Sequence, residues 1–216
     1  MRLLAAHVPA LARAYGVERR IGREVVALTF DDGPHPEGTP ATLEVLARRG
    51  ATATFFLVGE QVDAHPAVAR EIVDAGHEVA VHGYRHTLLL RRRERSLADD
   101  LDRAAAAIHA ATATVPALYR PPYGVFSKRG PELARARGWR PLLWSRWGRD
   151  WERRATPESI ARRASDGLRA GDVVLLHDSD AYSSADSWRR TVAALPSLLD
   201  AVAALGVPAS AVSQST

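Results

Sequence analysis

Cysteine is absent from the chain. That excludes disulfides, thiolate zinc sites, iron–sulfur clusters and cysteine nucleophiles, and leaves any metal to His, Asp or Glu. Lysine is nearly absent too: Lys128 stands alone, and every other basic residue is arginine. The arginines are scattered except for the run Arg91, Arg92, Arg93 and Arg95, which reads as a solvated loop or helix start. No base-stacking aromatics lie among them, so no nucleic-acid partner is expected. Long apolar runs are missing as well. Nothing approaches the ~18 residues of a membrane span, and no transmembrane segment is expected. The start, Met1–Tyr15, is interrupted by His7, Pro9 and Arg13 and lacks the apolar stretch of a signal peptide. It reads as a short amphipathic surface helix. As it stands it predicts a cytoplasmic protein, and an extracytoplasmic one if a longer N-terminus has been trimmed.

What is present is ordinary for one folded domain: 216 residues, 46% hydrophobic and 25% charged, with a formal net charge of +4. Short apolar runs alternate with longer amphipathic ones. Strands are expected at 25–30, 53–58, 78–81, 117–120, 140–144 and 172–176. Helices are expected at 40–49, 67–75, 96–111, 128–137, 157–170 and 187–205. Gly50, Gly76, Gly138, Gly171 and Gly206 close several of these helices, and Thr156-Pro157-Glu158 opens one. Unbroken strand–helix alternation predicts an α/β fold with one parallel sheet, open or closed into a barrel.

Chemically capable residues collect just after the expected strands, where parallel α/β folds carry their sites. Asp31 and Asp32 follow the first strand. Adjacent carboxylates call for a metal or an arginine, although Asp also suits a helix cap or turn. His82 and His86 form an HxxxH segment in which Gly83 opposes a helix, so a loop leaving a strand is expected; two unrelated histidines are the bland alternative. Asp32, His82 and His86 together supply one carboxylate and two imidazoles, with positions to spare on a metal. Zinc is the first choice, with cobalt, nickel or manganese as alternatives. Arg120 opens the stiff segment Arg120-Pro121-Pro122-Tyr123-Gly124, suited to presenting a guanidinium to a carboxylate and a backbone N–H to an oxyanion. His177 ends an apolar strand and is a candidate general acid. Trp144, Trp147 and Trp151 surround Asp150, as a sugar-stacking wall or as core.

These segments, in order, resemble the five motifs of the NodB-type polysaccharide deacetylases, carbohydrate esterase family 4. They are TFDDGP at Thr29–Pro34, HGYRH at His82–His86, RPPYG at Arg120–Gly124, GRDW at Gly148–Trp151 and LLHD at Leu175–Asp178. The resemblance implies a single-domain distorted (β/α) barrel of about seven parallel strands. It divides the chain into an N-terminal amphipathic extension (1–22) and a NodB-like domain (23–212). It also implies roles: Asp31 as base, Asp32, His82 and His86 as metal ligands, and Arg120 as the partner of the base. Tyr123 would hold the oxyanion through its N–H, Asp150 would orient the acid His177, Trp151 would wall the groove and Leu175 would flank the acetyl pocket. Two positions depart from the pattern: Gly83 stands where the family has Ser or Thr, and Trp147 where it has Asp.

The expected activity is metal-dependent removal of acetyl groups, mainly N-acetyl, from a glycan such as peptidoglycan or a chitin-like oligosaccharide, using one divalent ion. Such a substrate makes a trimmed chain wall-facing. The alternatives are a non-sugar amide hydrolase on the same scaffold and a catalytically idle glycan-binding member. The oligomeric state is left open.

Overall fold

In a computed structural model, residues 9–89 and 93–213 are described. The first eight positions of the N-terminal helix expected from the sequence, and Arg91 and Arg92 of the arginine run, lie outside them; Arg93 and Arg95 are exposed at the start of a helix.

The sheet is built on β1, Val26–Asp31, whose six residues are all buried. Burial on both faces is what a near-continuous apolar run means in a parallel sheet. Around it lie β2 (Thr54–Leu57), β3 (Glu78–Val81), β4 (Leu118–Tyr119), β5 (Arg140–Pro141), β6 (Arg146–Trp147) and β7 (Val173–His177). They pair in the order β5-β4-β3-β2-β1-β7-β6, all parallel, giving the seven-strand α/β half-barrel expected. A short β8 (Ala209–Ser210) pairs with the start of β1.

Helices cover the outside: α1 (Pro9–Ala14), α2 (Gly38–Arg48), α3 (Gly59–Ala64), α4 (Pro66–Asp74), α5 (Glu94–Thr112), α6 (Gly130–Arg135), α7 (Pro157–Ser165) and α8 (Ser187–Ala203). Thr156 caps α7 through a reciprocal capping box with Ser159, with Pro157 in the first turn. Among the described residues no helix is long and apolar enough to cross a membrane.

The strand order leaves a gap between β5 and β6, and the chain ahead of β1 fills part of it. Glu18 bridges to Leu142 beside β5, and Arg20 bridges to Asp172 ahead of β7. Val17 and Ile21 are buried in the same core as the strands. Gly171 makes the close approach possible: its φ is +80°, and a Cβ there would lie 2.5 Å from the Ile21 carbonyl oxygen.

Register sets the site. Asp31 pairs with Phe56 of β2 on one side and with His177 of β7 on the other. The His82 N–H donates to the Leu57 carbonyl, and the Arg120 N–H donates to the Val81 carbonyl. Residues scattered over some 150 positions of sequence thus emerge at one rim of the sheet.

Candidate active site

Asp31 is the last residue of β1, and Asp32, at φ 79°, begins the turn away from it. The two carboxylates have different partners. Asp31 Oδ1 accepts from Arg120 Nη1 at 2.6 Å. Arg120 is fully buried and also donates to Thr29 Oγ1 (2.9 Å) and to the carbonyls of Leu142 (3.3 Å) and Leu143 (3.1 Å). Its guanidinium sits 4.0 Å from the Phe56 ring centroid. Burial lowers the Arg120 pKa from its ordinary value, and the Asp31 charge opposes that. The position is fixed from several sides.

Asp32 faces the histidines. Its Oδ1 lies 3.4 Å from His82 Nε2 and 3.2 Å from His86 Nε2. His82 Nδ1 is 2.9 Å from the Arg120 carbonyl oxygen. A carbonyl only accepts, so Nδ1 carries a proton, and Nε2 is the nitrogen that faces Asp32. Burial drives the His86 pKa down to about 4 despite Asp32, leaving that ring neutral at physiological pH. Burial alone would raise Asp32; the surrounding imidazoles, His82 first, outweigh it and hold the carboxylate at about 2. Asp32 Oδ1 is buried yet accepts no hydrogen bond among the described residues. One carboxylate oxygen and two imidazole nitrogens lie within 4.8 Å of one another, and that donor set suits a divalent ion. The residues present fit such an ion.

The loop carrying these histidines is an ordered loop leaving β3, not a helix. Gly83, the first departure from the family motif, adopts φ +94°. The loop is held without a hydroxyl at that position: the Tyr84 N–H donates to Asp100 Oδ2 on α5 (2.8 Å), and the first N–H groups of α3 donate to the Gly83 and Tyr84 carbonyls (2.9 Å each).

Across the site, His177 Nδ1 lies 2.8 Å from Asp150 Oδ1. Asp150 Oδ2 accepts from the His177 backbone N–H (2.7 Å) and from Thr191 Oγ1 on α8 (2.8 Å). Burial would lower the His177 pKa, but Asp150 above all, with Asp32 and Asp31 behind it, pushes it up to about 10. The neighbouring arginines are engaged elsewhere. Arg146 bonds Asp172 and the Gly167 carbonyl; Arg149 pairs with Glu152 and lies over Trp147.

A cleft of about 380 Å³ joins these groups. Leu175, Trp144, Trp147 and Trp151 line one wall, and Trp151 meets His177 edge-on at 5.4 Å. Trp147, the second departure, stands between Trp144 and Trp151 as part of that wall. Tyr123 is 55% exposed at the rim, with φ 59° in the turn Pro122–Gly124. All ten residues singled out from the sequence therefore stand in or directly behind one cleft.

The sequence reading missed Tyr182 and gave Asp178, the last residue of its fifth motif, no role. Tyr182, on the loop after β7, lines the cleft and stacks on His86. Asp178, fully buried, accepts from the Thr39 hydroxyl, and burial pushes its pKa up to about 7. Asp178 was legible as the acid that follows the motif histidine, but its burial was not. Tyr182 left no signal.

Residues 18–142 match a sequence family described as polysaccharide deacetylase. The chain is 34% identical over 179 residues to a peptidoglycan-N-acetylglucosamine deacetylase of Bacillus cereus, covering 82% of this chain and 80% of that one. It is 35% identical over 188 residues to a chitooligosaccharide deacetylase of Bradyrhizobium sp., covering 84% and 85%. A solved peptidoglycan N-acetylglucosamine deacetylase, in complex with 4-naphthalen-1-yl-N-oxidanyl-benzamide, superposes with a TM-score of 0.84 at 25% identity over 92% of both chains.

Proposed function

Because the chain belongs to the polysaccharide deacetylase family, the hydrolases of carbohydrate esterase family 4, we propose that it removes N-acetyl groups from an acetylated glycan of the peptidoglycan or chito-oligosaccharide type, with one divalent ion on Asp32, His82 and His86. Zinc suits that donor set. When bound, the ion supplies Lewis acidity toward the acetyl carbonyl.

The chain's own residues do the rest. Asp31, steadied by Arg120, takes a proton from the attacking water. The Tyr123 backbone N–H donates to the oxyanion as it develops. His177, kept protonated by Asp150, gives its proton to the departing amine. Leu175 flanks the acetyl methyl, and Trp151 walls the sugar.

One observation carries the reading. A carboxylate paired with a buried arginine and an imidazole paired with a buried carboxylate face one cleft together with three residues that could hold a cation. A glycan-binding member without activity has no use for an acid and a base held so tightly. The test is acetate release from N-acetylated chito-oligosaccharides and from peptidoglycan, before and after chelation. Release that stops with the chelator and returns with Zn²⁺ is the expected result. No release from either glycan in metal-loaded protein overturns the proposal.

A further inference from the structure

The two histidines facing Asp32 are oriented by different means. His82 is held by a hydrogen bond from Nδ1 to the Arg120 carbonyl. His86 has no such anchor: its Nδ1 is buried and finds no hydrogen-bond partner among the described residues. A metal-binding imidazole ordinarily has its second nitrogen fixed by an acceptor, which sets the ring's orientation. Without one, the torsion about the ring bond is soft, and something else must aim Nε2 at Asp32.

Two aromatic rings do so. Tyr182 lies flat against His86, centroids 4.2 Å apart and planes 17° apart. Tyr123 meets the same ring edge-on at 4.4 Å and 60°. Tyr123 sits on the short proline-led turn Pro122–Gly124 and is half exposed. Tyr182 is tied down: its hydroxyl donates to Glu60 Oε1 (2.8 Å) and accepts from Gln61 Nε2 (3.1 Å), both on α3. The same short helix receives the Gly83 and Tyr84 carbonyls at its N-terminal N–H groups. One element thus anchors both the loop that carries His86 and the ring that covers it.

We propose that Tyr182 is a positioning residue for the cation site, its ring face fixing the orientation of His86 in place of the missing hydrogen bond. This rests on the reading of Asp32, His82 and His86 as the cation site. The ring face is the working part, and the hydroxyl only anchors it. The metal's remaining ligands are unaffected, so the site survives a loss of Tyr182 but binds less tightly.

The experiment is a titration of apo protein with Co²⁺ alone, followed by its visible absorption, for wild type, Tyr182→Ala and Tyr182→Phe. Tyr182→Ala should weaken Co²⁺ binding about tenfold or more, the range for losing an orienting contact, with altered absorption bands; Tyr182→Phe should stay within about twofold of wild type. If Tyr182→Ala does not fold, Tyr182→Leu, which fills the space without a ring face, takes its place with the same expectation. Wild-type affinity and bands in the Ala or Leu variant overturn the proposal. So does a loss in Tyr182→Phe as large as in Tyr182→Ala, which would put the effect in the hydroxyl. Failure of the wild type itself to bind Co²⁺ overturns the underlying metal reading instead, so the two failures are told apart.

Discussion

Asp150→Asn keeps the shape of the site and removes one charge, and its consequence can be worked out atom by atom. The carboxylate receives three donors: the His177 backbone N–H and Thr191 Oγ1 on one oxygen, and His177 Nδ1 on the other. An amide offers a single acceptor oxygen. With that oxygen toward the backbone N–H and Thr191, its NH₂ faces His177 Nδ1, which must then accept. The ring is left neutral with its proton on Nε2.

The size follows from the electrostatics. The surroundings push the His177 pKa up to about 10 from its ordinary 6.5, against a burial effect that pulls the other way. Among the nearby carboxylates Asp31 is offset by Arg120, and Asp32 is offset by a cation when one is bound. Among the described residues Asp150 bonds only His177 and Thr191. An opposite charge at contact distance moves a pKa by about 1–3 pH units, or about 1.4–4 kcal/mol. The basic limb of kcat/KM for acetate release should therefore move to lower pH by that amount in Asp150→Asn, and the acidic limb should move less. The limbs report a coupled site, so the displacement is the quantity to compare. Stability gives a second readout on metal-free protein. A histidine whose pKa is raised on folding stabilises fully below the unfolded value, and the contribution fades as pH climbs toward the folded one. Wild-type stability should carry this decline between about 6.5 and about 10, and Asp150→Asn should flatten it. A variant that loses stability uniformly while its basic limb stays in place would refute the pairing and reduce Asp150 to a loop cap.

Three further outcomes are expected. His82→Ala and His86→Ala should each lose stoichiometric metal on dialysis, read by elemental analysis, because two remaining ligands leave the ion under-coordinated. Asp31→Asn should abolish acetate release while metal stays bound, whereas Asp32→Asn should lose both; assays of metal content and turnover on the same preparations separate the two. Arg120→Ala should lower unfolding stability by about 3–5 kcal/mol in denaturant titration, because it strands the buried Asp31 carboxylate and two backbone carbonyls. Arg120→Lys should restore little of it, since an ammonium cannot span acceptors placed for a fork.

The residues legible in the sequence were those whose chemistry is tied to a strand end. β1 and β7 are near-continuous apolar runs, long enough to be recognised, and each ends in polar groups. Once the alternation is read as a parallel sheet, the end of every strand must fall on the same rim, so Asp31 and His177 become neighbours although 146 positions separate them. Glycines did the same service for helices: Gly50, Gly76, Gly138 and Gly206 all take positive φ just past a helix end. The elements that escaped were short. β6 and β8 have two residues each, a single period of the strand alternation and too few to show a repeat. α3 has six and opens with glycine, which disfavours helix, so its composition argued against it.

One of those short elements, α3, supports the site, and the reason such supports escape is physical. A ligand or a base must be a particular residue type at a strand end, so it leaves a mark in the sequence. A support needs only to reach. Tyr182 belongs to a loop, Asp180-Ala181-Tyr182-Ser183-Ser184, with no periodicity, and its place against His86 is fixed by hydrogen bonds to α3, more than a hundred residues earlier. Asp100 sits within α5, where an acid facing the Tyr84 N–H reads like any solvated helix residue. Asp150 shows the boundary between the two kinds. Its motif position made it a candidate, but two arginines flanked it, and only the backbone could show that Arg146 turns to Asp172 and Arg149 to Glu152. The charge left on Asp150 is what raises His177 and, in the proposed mechanism, keeps the acid protonated. The motifs therefore name the groups proposed to react, while the protonation states those groups need depend on where the long side chains between them turn.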